Sequence, residues 1–405
     1  MNKQCAPERG KTYLTIGQDL FSINEYVQAQ YNYSLHQGST KPMSAFAPAA
    51  VMVYTDMEHL NGLDQPIDYG SGVEYADGIL NSLFNGVEVG LQIGMWLNGT
   101  YGCQQIINGD LDRNIASFRK YIEQIQTPAV FIRLGYEFDN PFFGYNRPDL
   151  YIQAYQKIVL YMRKTLSRSA SARTKFVWHS WAAPRSNGFE LNDFYPGDDF
   201  VDWIGVSIFQ QVFPWASDLF QNNMDYGGTI SDIEEVLVFA RNHNKPTMIA
   251  ESTAYGGIVL NSSRVVEYNE TNPWSRWFKK VLDIIETHDI SMWSYINCNW
   301  KAQPMWHTSS FGDTRLSTDR SVMKLWHDTI IQNNNTDDGR VRFLLAGSLH
   351  GCGQTSPAKR FSLELCTLAF ILSMIGLFKV FQKHRKMHVE IGSAERFPLR
   401  SYRSP

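Results

Sequence analysis

The chain has 405 residues, 43% of them hydrophobic, and a formal net charge of -3. That length suits one large domain, and α/β barrels commonly occupy this range. The near-neutral balance, with no long basic run in the main body, speaks against a nucleic-acid partner. Five scattered cysteines without a CxxC pair suggest neither a disulfide framework nor a cysteine metal site.

The N-terminus, Met1 to Pro7, lacks the apolar core of a secretory signal. Apolar, strand-like runs then recur along the chain: Thr12 to Ile16, Ala50 to Tyr54, Val87 to Trp96 and Ala129 to Glu137. They continue with Lys175 to Trp181, Phe200 to Phe209, Lys245 to Glu251 and Ile290 to Ile296. Amphipathic stretches lie between them. Asp112 to Ile125 carries Ile115, Phe118, Ile122 and Ile125 at nearly helical spacing; Leu150 to Leu166, Ile230 to Asn242 and Trp274 to His288 are similar. Near-continuous apolar strands alternating with helices predict a parallel sheet covered by helices. Eight such units predict an α/β fold of the (β/α)8 barrel type over residues 1–331. Polar punctuation falls after the strands, at the end where such barrels keep their active sites.

Beyond residue 331 the character changes. Asn333 to Gly339 is polar, and 332–360 reads as a linker. Residues 361–381 are mostly apolar, and at ~1.5 Å per residue they cover roughly 30 Å, one hydrocarbon core. The reading is a single transmembrane helix, followed by the cationic Gln382 to Lys386 and a short cytoplasmic tail, 382–405. Five N-x-[ST] sequons, at Asn32, Asn98, Asn261, Asn269 and Asn334, all precede that span. They agree with an extracellular or luminal barrel, whose targeting signal would then precede the sequence given. The alternative is a tail-anchored chain with a cytosolic barrel.

Two strands end in glutamate. Phe131-Ile132-Arg133-Leu134-Gly135-Tyr136-Glu137 runs out before Asn140 and Pro141, and Pro246 to Glu251 runs out before a Gly256-Gly257 loop. An acid and a base at Glu137 and Arg133, on one face of a buried strand, are costly unless the site uses them. Two carboxyls on opposite walls of a barrel mouth are the requirement for glycoside hydrolysis. One attacks the anomeric carbon and stays ionised; the other, with its pKa raised, protonates the leaving oxygen. Trp96, Trp181 and Trp300 stand at strand ends and offer flat faces to sugar rings. Asn140 and His179 are placed to hydrogen-bond into the site, and Arg133 to orient the carboxylates. The 10 histidines form no cluster and HExxH is absent, so no metal and no cofactor is expected.

These residues resemble the clan A glycoside hydrolases, and within the clan the chain looks most like glycoside hydrolase family 26, the β-mannanase family. Ile132 to Glu137, Tyr195 to Ser207 and Lys245 to Glu251 carry the resemblance, which spans about Thr12 to His327. It implies that Glu137 is the acid/base and Glu251 the nucleophile of a retaining hydrolase acting on a β-linked polysaccharide or oligosaccharide. Three positions depart from the family pattern. Tyr136 stands where the family has His. Phe209 stands where it has a Tyr that contacts the nucleophile. Trp96-Leu97 stands where it has Trp-His. Tyr136 and Phe209 thus become candidate substrate contacts of a different kind. The departures leave open a second reading, a catalytically degenerate, membrane-anchored carbohydrate-binding protein on the same fold. The partners implied are a carbohydrate and, through 361–381, a membrane; no obligate protein partner is inferred.

Overall fold

The structure, a computed structural model, describes residues 5–185, 188–213, 228–259, 272–332, 341–350 and 352. Its strands are β1 (Lys11–Gly17), β2 (Ala50–Asp56), β3 (Ile67–Asp68), β4 (Val73–Glu74), β5 (Gly90–Trp96), β6 (Val130–Leu134), β7 (Thr174–Ser180), β8 (Trp203–Ile208), β9 (Thr247–Ser252), β10 (Met292–Ile296) and β11 (Arg342–Leu344). Eight of them close into a parallel barrel in the order β1-β2-β5-β6-β7-β8-β9-β10, with β10 paired back onto β1. Each of the eight runs read from sequence falls on one of these strands. Closure removes free sheet edges, and the helices outside with the packed lumen inside bury both faces, which is why the barrel strands can be mostly apolar.

Helices wrap the barrel, among them Leu20–His36, Asp112–Gln124, Pro148–Thr165, Ile230–Asn242 and Lys279–His288. Their ends follow local chemistry. The Asp19 carboxylate accepts from the amides of Phe21 and Ser22, and Pro148 opens its helix where a missing N–H costs nothing. The two-residue alternation of each strand divides the core in two. Ile132 and Leu134 face the helices, whereas Phe131, Val177, Trp203, Met248 and Met292 cluster inside the barrel. There the rings of Phe131 and Trp203 meet edge to face at 5.2 Å, plugging the lumen below the site.

β3 and β4 form a small antiparallel hairpin outside the barrel. β11, within the stretch read as a linker, pairs in parallel with β1 through Lys11–Arg342, Thr12–Phe343 and Tyr13–Leu344. A disulfide joins Cys5 to Cys352 beside it, tying together positions 347 residues apart in sequence. The described residues fall within one compact unit, Asn2–Gln354. The expected membrane span at 361–381 lies outside the described residues. Among the described residues no helix is long and apolar enough to cross a membrane.

Candidate active site

Glu137 reaches the barrel mouth through an abrupt change of backbone. The apolar run predicts a strand through Glu137, but β6 stops at Leu134. Gly135 (φ 56°) and Glu137 (φ 50°) then take left-handed conformations. Gly135 is needed there twice over: a side chain is disfavoured at that φ, and a Cβ would lie 2.7 Å from the Tyr151 ring. Glu137 itself carries the strain of a non-glycine residue in this region, a feature concentrated at functional sites. Asn140 fixes the turn by donating from Nδ2 to Glu137 Oε2 at 3.0 Å.

Glu251 sits near the end of β9, and a register shift between Val206 and Ser207 brings Ser207 directly opposite it. Bulges of this kind re-aim side chains beside active sites. The shift matters because Ser207 Oγ donates to Glu137 Oε1 at 2.5 Å, so a residue paired in backbone with one glutamate holds the carboxyl of the other.

The two carboxyls meet opposite electrostatics. Glu251 forms an ion pair with the guanidinium NH1 of Arg133, which is wholly buried. Arg133 is flanked by aromatic rings, Tyr54 at 5.1 Å and Tyr136 at 5.3 Å. Glu137 receives only neutral donors, Ser207 and Asn140. Burial, and next the charge of Glu251, push its pKa from 4.5 up to about 8. One carboxyl thus sits against a cation while its neighbour favours the protonated form.

His179, also fully buried, has both ring nitrogens engaged within the protein: Nδ1 lies 3.2 Å from Arg133 NH1 and Nε2 lies 3.0 Å from Ser207 Oγ. Its burial, and next the Arg133 charge, hold its pKa well below the usual value, so the ring is neutral.

The other predicted contacts divide. Trp96 is 36% exposed at the end of β5, a flat face open to a ligand. Tyr136 is half-buried against Arg133 and Tyr54. Trp181 is 9% exposed, and its backbone amide donates to Asp139 at 2.6 Å. Phe209 and Trp300 both pack on Phe311, edge-on at 5.4 Å and stacked at 4.5 Å. Trp300 is only 3% exposed and donates its indole N–H to Thr314. The structure therefore gathers Arg133, Tyr136, Glu137, Asn140, His179 and Glu251 into one cluster and sets Phe209 and Trp300 in an aromatic group of their own.

Sequence reasoning misses Tyr54, Asp139 and Ser207. Asp139 accepts from Ser180 Oγ at 2.5 Å and from the Trp181 amide, locking the loop after β6 to the end of β7; burial raises its pKa to about 6. The available signal lies in the in-strand glycines. Gly94 faces Arg133 and Gly205 faces His179 across their strand pairs, and glycine inside a strand marks a close approach. Among the described residues no group of three or more His, Cys, Asp or Glu side chains is placed to hold a metal ion.

Comparison with known proteins finds similar sequences and folds among glycoside hydrolases. Residues 91–281, which contain both glutamates, match the model of "Glycosyl hydrolase family 26". Two curated relatives are a β-1,3-xylanase TXYA from a Vibrio species, 26% identical over 351 residues, and a β-1,3-xylanase from an Alcaligenes species, 25% identical over 347. Each alignment covers 82% of this chain but only 66% and 65% of the relatives, so the chain spans about two thirds of their length. Among solved structures, the family 26 β-mannanase BoMan26A of Bacteroides ovatus superposes with a TM-score of 0.51 at 12% identity, covering 86% of this chain and 94% of that one, which supports the barrel fold. The family match and the sequence relatives together support the resemblance of this chain to glycoside hydrolase family 26.

Proposed function

We infer that the protein is a retaining glycoside hydrolase that cleaves a β-linked polysaccharide by double displacement. The observation that carries this reading is the unequal carboxyl pair. Glu251 lies against the buried Arg133 cation, and Glu137, held by neutral donors, has its pKa pushed up to about 8. Environments that drive two carboxyls apart assign the acid and the nucleophile. A Glu251 oxygen attacks the anomeric carbon as the glycosidic bond breaks, and Glu137 gives its proton to the departing oxygen. Glu137, now a carboxylate, takes a proton from the water that cleaves the glycosyl ester, and both residues return to their starting states.

The substrate reading follows the relatives. Both curated relatives are named β-1,3-xylanases, and the family's mannanase pattern is altered here at Tyr136, Leu97 and Phe209. We therefore favour β-1,3-xylan over β-1,4-mannan. Digestion of the two polysaccharides by the purified chain tests this choice. Faster release of xylo-oligosaccharides supports it, and faster release of manno-oligosaccharides overturns it.

The apolar 361–381 segment supports attachment to a membrane, and the Cys5–Cys352 disulfide supports a barrel on the oxidising side of it. Expressed behind a supplied signal peptide, the chain should show a glycosidase-sensitive mass shift. Insertion of the unmodified chain with an unglycosylated, cytosol-exposed barrel would establish the tail-anchored alternative.

A further inference from the structure

Between the two glutamates runs an unbroken chain of side-chain contacts: Glu251, Arg133, His179, Ser207, Glu137. Its polarity follows from the donor inventory alone. A guanidinium can only donate, so His179 Nδ1 is the acceptor of the Arg133 contact. In a neutral ring the proton then resides on Nε2, which donates to Ser207 Oγ. A hydroxyl has one hydrogen, and Ser207 directs it at Glu137 Oε1. Reversing the Arg133–His179 or the His179–Ser207 link would set donor against donor, and with the Glu137 proton on Oε2 the last link runs the same way.

We propose that Ser207 and His179 are positioning residues that hold Glu137 Oε1 as a permanent acceptor, leave Oε2, which also accepts from the Asn140 amide, as the oxygen that gives and takes the catalytic proton, and report to Glu137 whether Glu251 is charged. The proposal rests on the acid/base and nucleophile roles inferred above. While Glu251 is a carboxylate, Arg133 NH1 is shared between it and His179. When Glu251 becomes a glycosyl ester its charge is gone, and His179 Nδ1 is the stronger of NH1's two acceptors. The imidazole is then polarised more strongly, Nε2–H donates more strongly to Ser207, and Ser207 donates more strongly to Oε1. The Glu137 carboxylate is thereby favoured at the step that needs a base. No proton travels along the chain; only its polarisation changes.

Other groups surround these residues and must be held constant. Glu251 on β9 and Asp139 on the loop after β6 face Glu137, with Tyr136 beside it. Arg133 on β6 faces His179, and Tyr54 on β2 lies close to Arg133 and Glu251.

The test is titration of glutamate carboxyls by 13C NMR in the full chain, with the Glu137 signal assigned by its loss in Glu137→Gln. Ser207→Ala should raise the Glu137 midpoint by about one unit, a tenfold weaker acid, and Ser207→Thr should restore it. His179→Gln, which places an amide N–H near Nε2, should preserve the midpoint better than His179→Ala; this pair decides the matter if Ser207→Ala does not fold. Glu251→Gln mimics the uncharged ester. It should lower the Glu137 midpoint, and lower it less when Ser207→Ala is also present. Equal falls in the two backgrounds would mean that Glu251 acts by direct repulsion alone and would overturn the coupling. An unchanged midpoint in both Ser207→Ala and His179→Ala would overturn the positioning role. Because the readout needs no turnover, failure to hydrolyse any polysaccharide would refute the proposed activity while leaving this result standing.

Discussion

Gly94 lies directly across the strand pair from Arg133, and a Cβ at Gly94 would sit 2.8 Å from the guanidinium NH2 and 2.6 Å from the Tyr54 ring. The missing side chain is what makes room for a buried cation between two aromatic rings. Gly94→Ala is therefore expected to cost about 1–3 kcal/mol by overpacking. It should also reduce turnover by displacing Arg133 from Glu251. Thermal unfolding and kcat measured together check this. An alanine variant with wild-type turnover would show that Arg133 has room to spare.

Glu137 gives the fold a pH dependence with a definite sign. Its folded-state pKa is raised, from 4.5 to about 8, so the folded chain retains a proton that the unfolded chain releases. The stability linked to this proton is fully present below 4.5 and is lost as pH rises through about 8. Glu137→Gln removes the ionisation. The variant should match wild type near pH 4 and be more stable than wild type near pH 9, as followed by urea unfolding. For the same reason kcat/KM of the wild type should fall above about pH 8, where the acid is ionised.

The two glutamates should fail in different ways. Glu251→Ala should abolish turnover, since no group remains to form the glycosyl ester. Glu137→Ala should cripple hydrolysis of ordinary glycosides by about 10²–10⁴-fold. Aryl glycosides whose leaving groups need no proton should be less affected, and azide should then rescue release of the glycosyl group. Equal loss on both substrate types, with no response to azide, would contradict the acid/base assignment.

How much of this is legible in the chain depends on which force sets each feature. The barrel strands are legible because strands covered on both faces are mostly apolar, as Val130 to Ile132 and Met248 to Ala250 are. Glu137 and Glu251 are legible because carboxylates are conspicuous at the ends of such runs. The stop at Leu134 is not, since it depends on the left-handed turn at Gly135 and Glu137 rather than on hydrophobicity. Ser207 is hidden for a related reason. It sits inside Val206-Ser207-Ile208, where one hydroxyl hardly changes the pattern, and only the register shift aims it at Glu137. Trp300 shows the converse. An aromatic at a strand end reads as a sugar platform, whereas packing on Phe311 and the Thr314 hydrogen bond bury it.

The Cys5–Cys352 bridge closes nearly the whole described chain into one loop. In the unfolded state that constraint removes much conformational freedom, and its loss should cost about 2–5 kcal/mol. Cys5→Ala with Cys352→Ala should lower the urea midpoint by a corresponding amount, as should dithiothreitol on the wild type. Identical unfolding curves with and without reductant would show that the bridge contributes nothing to stability.

The retaining mechanism by Glu137 and Glu251 is tested most directly by the configuration of the first product. Proton NMR should follow the anomeric signals during the first minutes of digestion of a β-1,3-xylo-oligosaccharide, before mutarotation intervenes. Double displacement through Glu251 predicts that the β-anomer forms first, with the α-anomer growing in only as the sugar equilibrates. An α-anomer formed first would show a single displacement by water and would contradict the roles assigned to both glutamates.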